Sequence, residues 1–221
     1  MKIRTDIIWK IGLLLLLSWV IVGAWVWEPP MGGVSTPEIY RIFYFHVPMA
    51  LVTFLAYGLA MIQGIAYLKR RDLEFDLRSS TAAVLGTIFC VLAAVSGSVF
   101  ARFAWGSFWN WDPRETSILM LLLIYLAYFS LRAAVVDPER KARLSATYSI
   151  LGFIAAVFTI FVWPRITPGL HPGAPGSSGG KVIVMSARTL MVFVPSLVAF
   201  TSLFGWIYSL SLRVNRFVEE D

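Results

Sequence analysis

Six apolar runs alternate with polar joints along this chain, at 7–27, 47–68, 80–101, 116–135, 144–163 and 188–210. A membrane-crossing helix takes roughly 20 apolar residues, and each run meets that length with hardly any charge inside it. The pattern predicts an all-α integral membrane protein with six transmembrane helices in one membrane domain. The first run lacks a small-residue cleavage site and five more follow it, so it reads as a retained helix rather than a leader. No internal repeat is visible.

The joints give the direction. Thirteen basic residues fall on one side: Lys2, Arg4, Lys10, Lys69, Arg70, Arg71, Arg78, Arg132, Arg140, Lys141, Arg143, Arg213 and Arg216. Six fall on the other: Arg41, Arg102, Arg114, Arg165, Lys181 and Arg188. The positive-inside rule then predicts that both termini are cytoplasmic and that the joints 28–46, 102–115 and 164–187 face outward. Composition agrees with the membrane reading, at 58% hydrophobic and 14% charged residues. The net charge of +6 is explained by this sidedness, with no nucleic-acid partner. Cys90 stands alone inside an apolar run, so a disulfide framework, a CxxC pair and a CxxCH haem-attachment site are all absent. P-loop, HExxH, GxSxG and GxGxxG motifs are absent too.

The outer side carries the candidate chemistry. Both histidines of the chain, His46 and His171, fall there, as do Trp25, Trp27, Trp105, Trp109, Trp111 and Trp163 out of nine tryptophans. An ordinary aromatic belt populates both interfaces, so this lopsided set argues for an aromatic platform. Its centre is the run Trp105-Gly-Ser-Phe-Trp109-Asn-Trp111-Asp-Pro-Arg-Glu-Thr116. If the run is extended, all three tryptophans share a face; if helical, Trp111 points elsewhere. The extended form suits a platform. Asp112, Pro113 and Glu115 have the spacing of a helix N-terminus, with Asp112 at the cap and also able to hold the tryptophan loop in register.

Glu38–His46 reads as a short interfacial helix leading into the second span. The Gly/Pro-rich stretch 164–187 reads as a mobile loop able to act as a lid. Two imidazoles on opposite faces of an iron porphyrin would make a six-coordinate site. The alternative is a pair of interfacial histidines hydrogen-bonded to backbone or water. Arginine suits carboxylates such as haem propionates, with Arg114 the first candidate and Arg41 the next. The alternative for each is a lipid headgroup or a local salt bridge.

The tryptophan-rich box, the six spans and one histidine in each flanking outer loop resemble the haem exporter protein C (CcmC-type) family of cytochrome c biogenesis. The resemblance covers nearly the whole chain. It implies a transfer protein rather than a conventional enzyme. Such a protein binds haem b transiently at the outer face of the cytoplasmic membrane, with His46 and His171 as axial ligands. Trp105, Trp109, Trp111 and Asp112 match the box. The implied partners are a haem chaperone, an ABC-type ATPase, its permease, a small single-span subunit and the bilayer. The box ending Asp112-Pro-Arg-Glu-Thr116 is nearer that of the larger CcsA-type synthetase subunit. That subunit, however, has more spans and further histidines within the membrane. Three other readings stay open. These are a synthetase component, a permease or structural subunit without its own ligand, and, more weakly, a quinone-linked redox subunit.

Overall fold

The computed structural model describes residues 2–27, 37–177 and 185–220; the parts of the joints 28–46 and 164–187 at 28–36 and 178–184, with Lys181, lie outside the described residues. The elements, in order, are α1 (Lys2–Val26), a 3₁₀ turn (Pro37–Ile42), α2 (Phe43–Arg70), α3 (Leu73–Trp105), α4 (Pro113–Ala134) and α5 (Pro138–Val157). Helix α5 continues through a π turn (Phe158–Val162) into one last helical turn, α6 (Trp163–Ile166), and α7 (Ala187–Glu220) closes the set. Among the described residues there is no strand, and six helices are long and apolar enough to cross a membrane.

The helices outrun the apolar runs that predict them. Helix α3 begins at Leu73, so most of the charged 69–79 joint is helical. Hydropathy marks where a helix meets lipid, whereas capping marks where it ends. The caps are legible in the residues. Asp72, Asp112 and Asp137 each accept a backbone N–H from the first turn of the helix that follows. Pro113 and Pro138 stand at the first helical position, where a missing N–H costs nothing.

Two prolines sit inside helices, and each frees a carbonyl four residues back. Pro48 frees that of Tyr44, which accepts the Ser196 hydroxyl from α7. Pro195 frees that of Met191, which accepts the Trp19 indole N–H from α1 at 3.0 Å. In lipid an unsatisfied backbone group costs several kcal/mol, so these two bonds tie α2 to α7 and α7 to α1.

Helix α2 is central, packed along α3 and against α5 and α7. Its Tyr57 stacks on Tyr125 of α4 at 3.5 Å and 10°, in a buried cluster with Tyr128 and Cys90. At the end of the bundle away from the tryptophan run, Arg132 of α4 grips Asp76 of α3 with two bonds of 2.6 and 2.9 Å. The other end is left to the joints 28–46, 102–115 and 164–187.

Candidate functional site

Where α2 and α4 begin and α3 and α6 end, the elements enclose a cavity of about 290 Å³. His46 enters from the first turn of α2, and Phe100 from α3. Trp109 and Arg114 come from the tryptophan run, Arg165 from α6, and His171 from the joint 164–187. The two histidines, 125 residues apart in sequence, therefore meet at one space.

Each histidine is held through Nδ1. His171 Nδ1 lies 2.6 Å from Asp112 Oδ1. A carboxylate only accepts, so Nδ1 carries the proton. His46 Nδ1 lies 2.9 Å from Ser96 Oγ. In a neutral ring this leaves the Nε2 lone pair of His171 available, the arrangement in which histidine binds metal.

Asp112 is the hinge pin of the site. Its side chain is 1% exposed. One carboxylate caps α4 through Arg114 N–H at 2.9 Å, binds His171, and accepts Leu170 N–H at 2.6 Å. Gly169 permits this approach, because a Cβ there would lie 2.7 Å from Asp112 Oδ2. Burial alone would raise the Asp112 carboxyl. The bond and charge of His171, with the Arg114 and Leu170 N–H groups, outweigh burial and hold it down at about 2.

The described part of the joint 164–187 is more ordered than the composition of that joint suggests. Over its described part it folds back on itself, with Gly169 N–H bonded to Pro175 O at 3.1 Å and Ala174 N–H to His171 O at 3.0 Å.

The tryptophan run is neither extended nor helical throughout. Trp105 is the last residue of α3, and its ring edge rests on His171 at 4.8 Å. The chain then turns at Gly106, and Trp109 becomes the cavity wall. Trp111 stands edge-on to Trp109 at 5.7 Å but is 70% exposed, with a left-handed φ of 55°. Glu115 fixes that bend by accepting N–H groups on both sides of it, from Asn110 at 2.7 Å and Asp112 at 3.3 Å. The capping box is present as its spacing predicts.

The arginines divide. Arg114 and Arg165 line the cavity. Arg41 is turned elsewhere, bonding the carbonyls of Ala24, Trp25 and Trp27 at the end of α1 and pairing with Glu38. A cation there satisfies orphan carbonyls and complements the helix dipole. Arg102 bonds the Gly106 carbonyl, and Arg188 is exposed on the first turn of α7.

Sequence reasoning passed over Ser96 and the Asp112–His171 bond. Neither has a spacing signal, since the partners lie 50 and 59 residues apart. It also passed over the π turn, whose Phe161 lines the cavity. Such turns cluster at functional sites, but hydropathy does not encode them.

Fold and site together define a multi-pass helical membrane protein with a two-histidine, aromatic-walled cavity at one end of the bundle. A family model described as Heme exporter protein C matches residues 2–220, and the chain belongs to that family. Among its relatives, Heme exporter protein C of Paracoccus denitrificans is 32% identical over 72% of this chain and 69% of its own length. The protein of the same name from Bradyrhizobium diazoefficiens is 32% identical over 78% of this chain and 65% of its own length. A ccmC-like mitochondrial protein of Marchantia polymorpha, named for cytochrome c biosynthesis, is 31% identical over 81% of this chain and 73% of its own length. The matched region thus spans about two thirds of these relatives.

Proposed function

We propose that this protein takes haem b as its cargo at the outer, periplasm-facing side of the cytoplasmic membrane and delivers it to a haem chaperone for cytochrome c maturation. Both termini are then cytoplasmic. The observation that carries the reading is the convergence of His46 and His171, each bonded through Nδ1, on one aromatic-walled cavity.

The donor set fits the cargo. Two imidazole Nε2 atoms suit the two axial positions of a haem iron. Trp109 offers a flat apolar wall, and Trp105 packs behind the His171 ring. Trp111 caps the Trp109 edge from outside. Arg114 and Arg165 provide cations for the two propionates. Arg41 serves by fixing the entry to α2 rather than by reaching the cargo. Asp112 acts at one remove, by orienting His171.

A volume of about 290 Å³ lies at the lower end of ligand sites, which run from about 300 Å³ upward. A porphyrin is seated in this reading by outward movement of the segment carrying His171, and the same movement releases it. A site that opens by shifting one ligand is suited to handing cargo on. The family name supports a place in an ABC-type haem-export complex, whose proposed members are an ATPase, a permease and a small single-span subunit.

The test is the absorption spectrum of the purified protein with ferric haem, beside His46→Ala and His171→Ala. A low-spin six-coordinate spectrum that changes in both variants is expected. Unchanged haem content in both variants would overturn the ligand assignment. A wild type that takes up no haem in either redox state would turn the tryptophans into a protein-docking surface.

A further inference from the structure

We infer that Ser96 and Gly97, neighbours on α3, are positioning residues for His46: they fix its tautomer and ring plane so that Nε2 presents a lone pair to the cavity. Two separate observations carry this.

The first is a count of protons. A serine hydroxyl has one hydrogen to donate. That of Ser96 is directed to the Leu92 carbonyl at 2.8 Å, with the Ala93 carbonyl next at 3.1 Å. The oxygen lone pairs remain, and one faces His46 Nδ1 at 2.9 Å. With the hydroxyl hydrogen on the Leu92 carbonyl, the proton of that bond comes from His46. Nδ1 is therefore protonated, and in the neutral ring Nε2 is bare.

The second is the space beside the ring. A Cβ on Gly97 would lie 3.0 Å from His46 Cε1, 3.6 Å from Nδ1 and 3.8 Å from Nε2. The ring edge between the two nitrogens thus rests on the α3 backbone. A methyl group there pushes on the edge that aims Nε2. One residue sets the proton and the next sets the plane.

The two histidines are then unequal by construction. His171 is backed by a carboxylate and rides on a loop; His46 is backed by a hydroxyl and is seated between two helices. A carboxylate partner makes its imidazole the stronger electron donor toward a metal. The fixed ligand is the weaker donor, and the movable ligand is the stronger.

Serine in a membrane helix often bonds back to the i−4 carbonyl for its own sake. In that case removing the hydroxyl would leave the His46 tautomer alone, which sets the test. The full chain is labelled with ¹⁵N-histidine and observed at about pH 8, where an ordinary imidazole is neutral. There are two histidines, so a His171→Gln background leaves the His46 signals by themselves. The expected wild-type pattern is a protonated Nδ1 and an unprotonated Nε2. Ser96→Ala should shift the population toward the Nε2-protonated form, and Ser96→Thr, whose hydroxyl can make the same bonds, should restore the wild-type pattern. In a chain that keeps His171, ferric haem should bind about 10-fold more weakly to Ser96→Ala and to Gly97→Ala, with Ser96→Thr near wild type.

An Nε2-protonated His46 in the wild type, or a Ser96→Ala pattern identical to wild type, overturns the inference. The haem arm rests on the proposed cargo, but the tautomer arm does not. The expected tautomers together with no haem uptake would uphold this inference and overturn the haem reading.

Discussion

Three N–H groups from two distant segments converge on the Asp112 carboxylate: those of Arg114, Leu170 and the His171 ring. One residue thereby joins the start of α4 to the loop over the cavity. Its carboxyl is held at about 2 in the fold, against an ordinary 3.8. A depressed acid stabilises the fold fully above its unfolded value and loses that contribution as pH falls toward its folded value. The ionisation of Asp112 itself should therefore add nothing to pH dependence between about 5 and 8. Below about 4 it should produce an acid-labile limb. Thermal unfolding of the detergent-solubilised protein across pH is expected to show that limb in the wild type and a flatter one in Asp112→Asn. An equal acid limb in both would show that other carboxyls govern it.

At the scale of elements, the paired prolines of α2 and α7 make a sharper case than propensity does. Ser196→Ala strands the Tyr44 carbonyl that Pro48 has freed, a loss of about 1–3 kcal/mol for a buried group left without a partner. Pro48→Ala restores the helix's own donor to that carbonyl. The Ser196→Ala cost should then shrink to near zero in a Pro48→Ala background. A double-mutant cycle of denaturant unfolding in micelles measures this directly. Additive costs would mean that the hydroxyl serves some other group.

Much of this scale was legible in the residues. Apolar runs located six helices, and the Asp-Pro pair at 112–113 located one helix start. The fate of each tryptophan was not legible. Trp105 and Trp109 reach the site by different routes, one on a helix end and one after a left-handed cap, and no single period describes both. The place of Arg41 was not legible for a related reason. Five residues from His46 in sequence, it is drawn instead to the open carbonyls of α1, a partner visible only once the helices are packed.

For the molecule as a whole, charge asymmetry and cavity position make one joint statement about direction. If the cavity faces outward, Trp111→Cys should react with a membrane-impermeant maleimide in intact cells, since that position is 70% exposed. Arg213→Cys, on an exposed position of α7 near the other end, should react only after permeabilisation. The native Cys90 is buried and should stay silent. The reverse labelling pattern would turn the cavity toward the cytoplasm and remove the delivery reading with it.

The π turn at Phe158–Val162 bears on how this bundle tolerates changes of length. Its Trp163 N–H reaches back five residues to Phe158 O, so this turn holds one residue more than a regular one. Loss of a single residue here returns the segment to an ordinary α-turn and leaves Arg165 on the face it already occupies. The same loss lower in α5 would rotate everything beyond it by about 100° and swing Pro164 and Arg165 off the cavity wall. Single-residue gains and losses among natural variants of this helix should therefore gather in that one turn, where the chain carries slack.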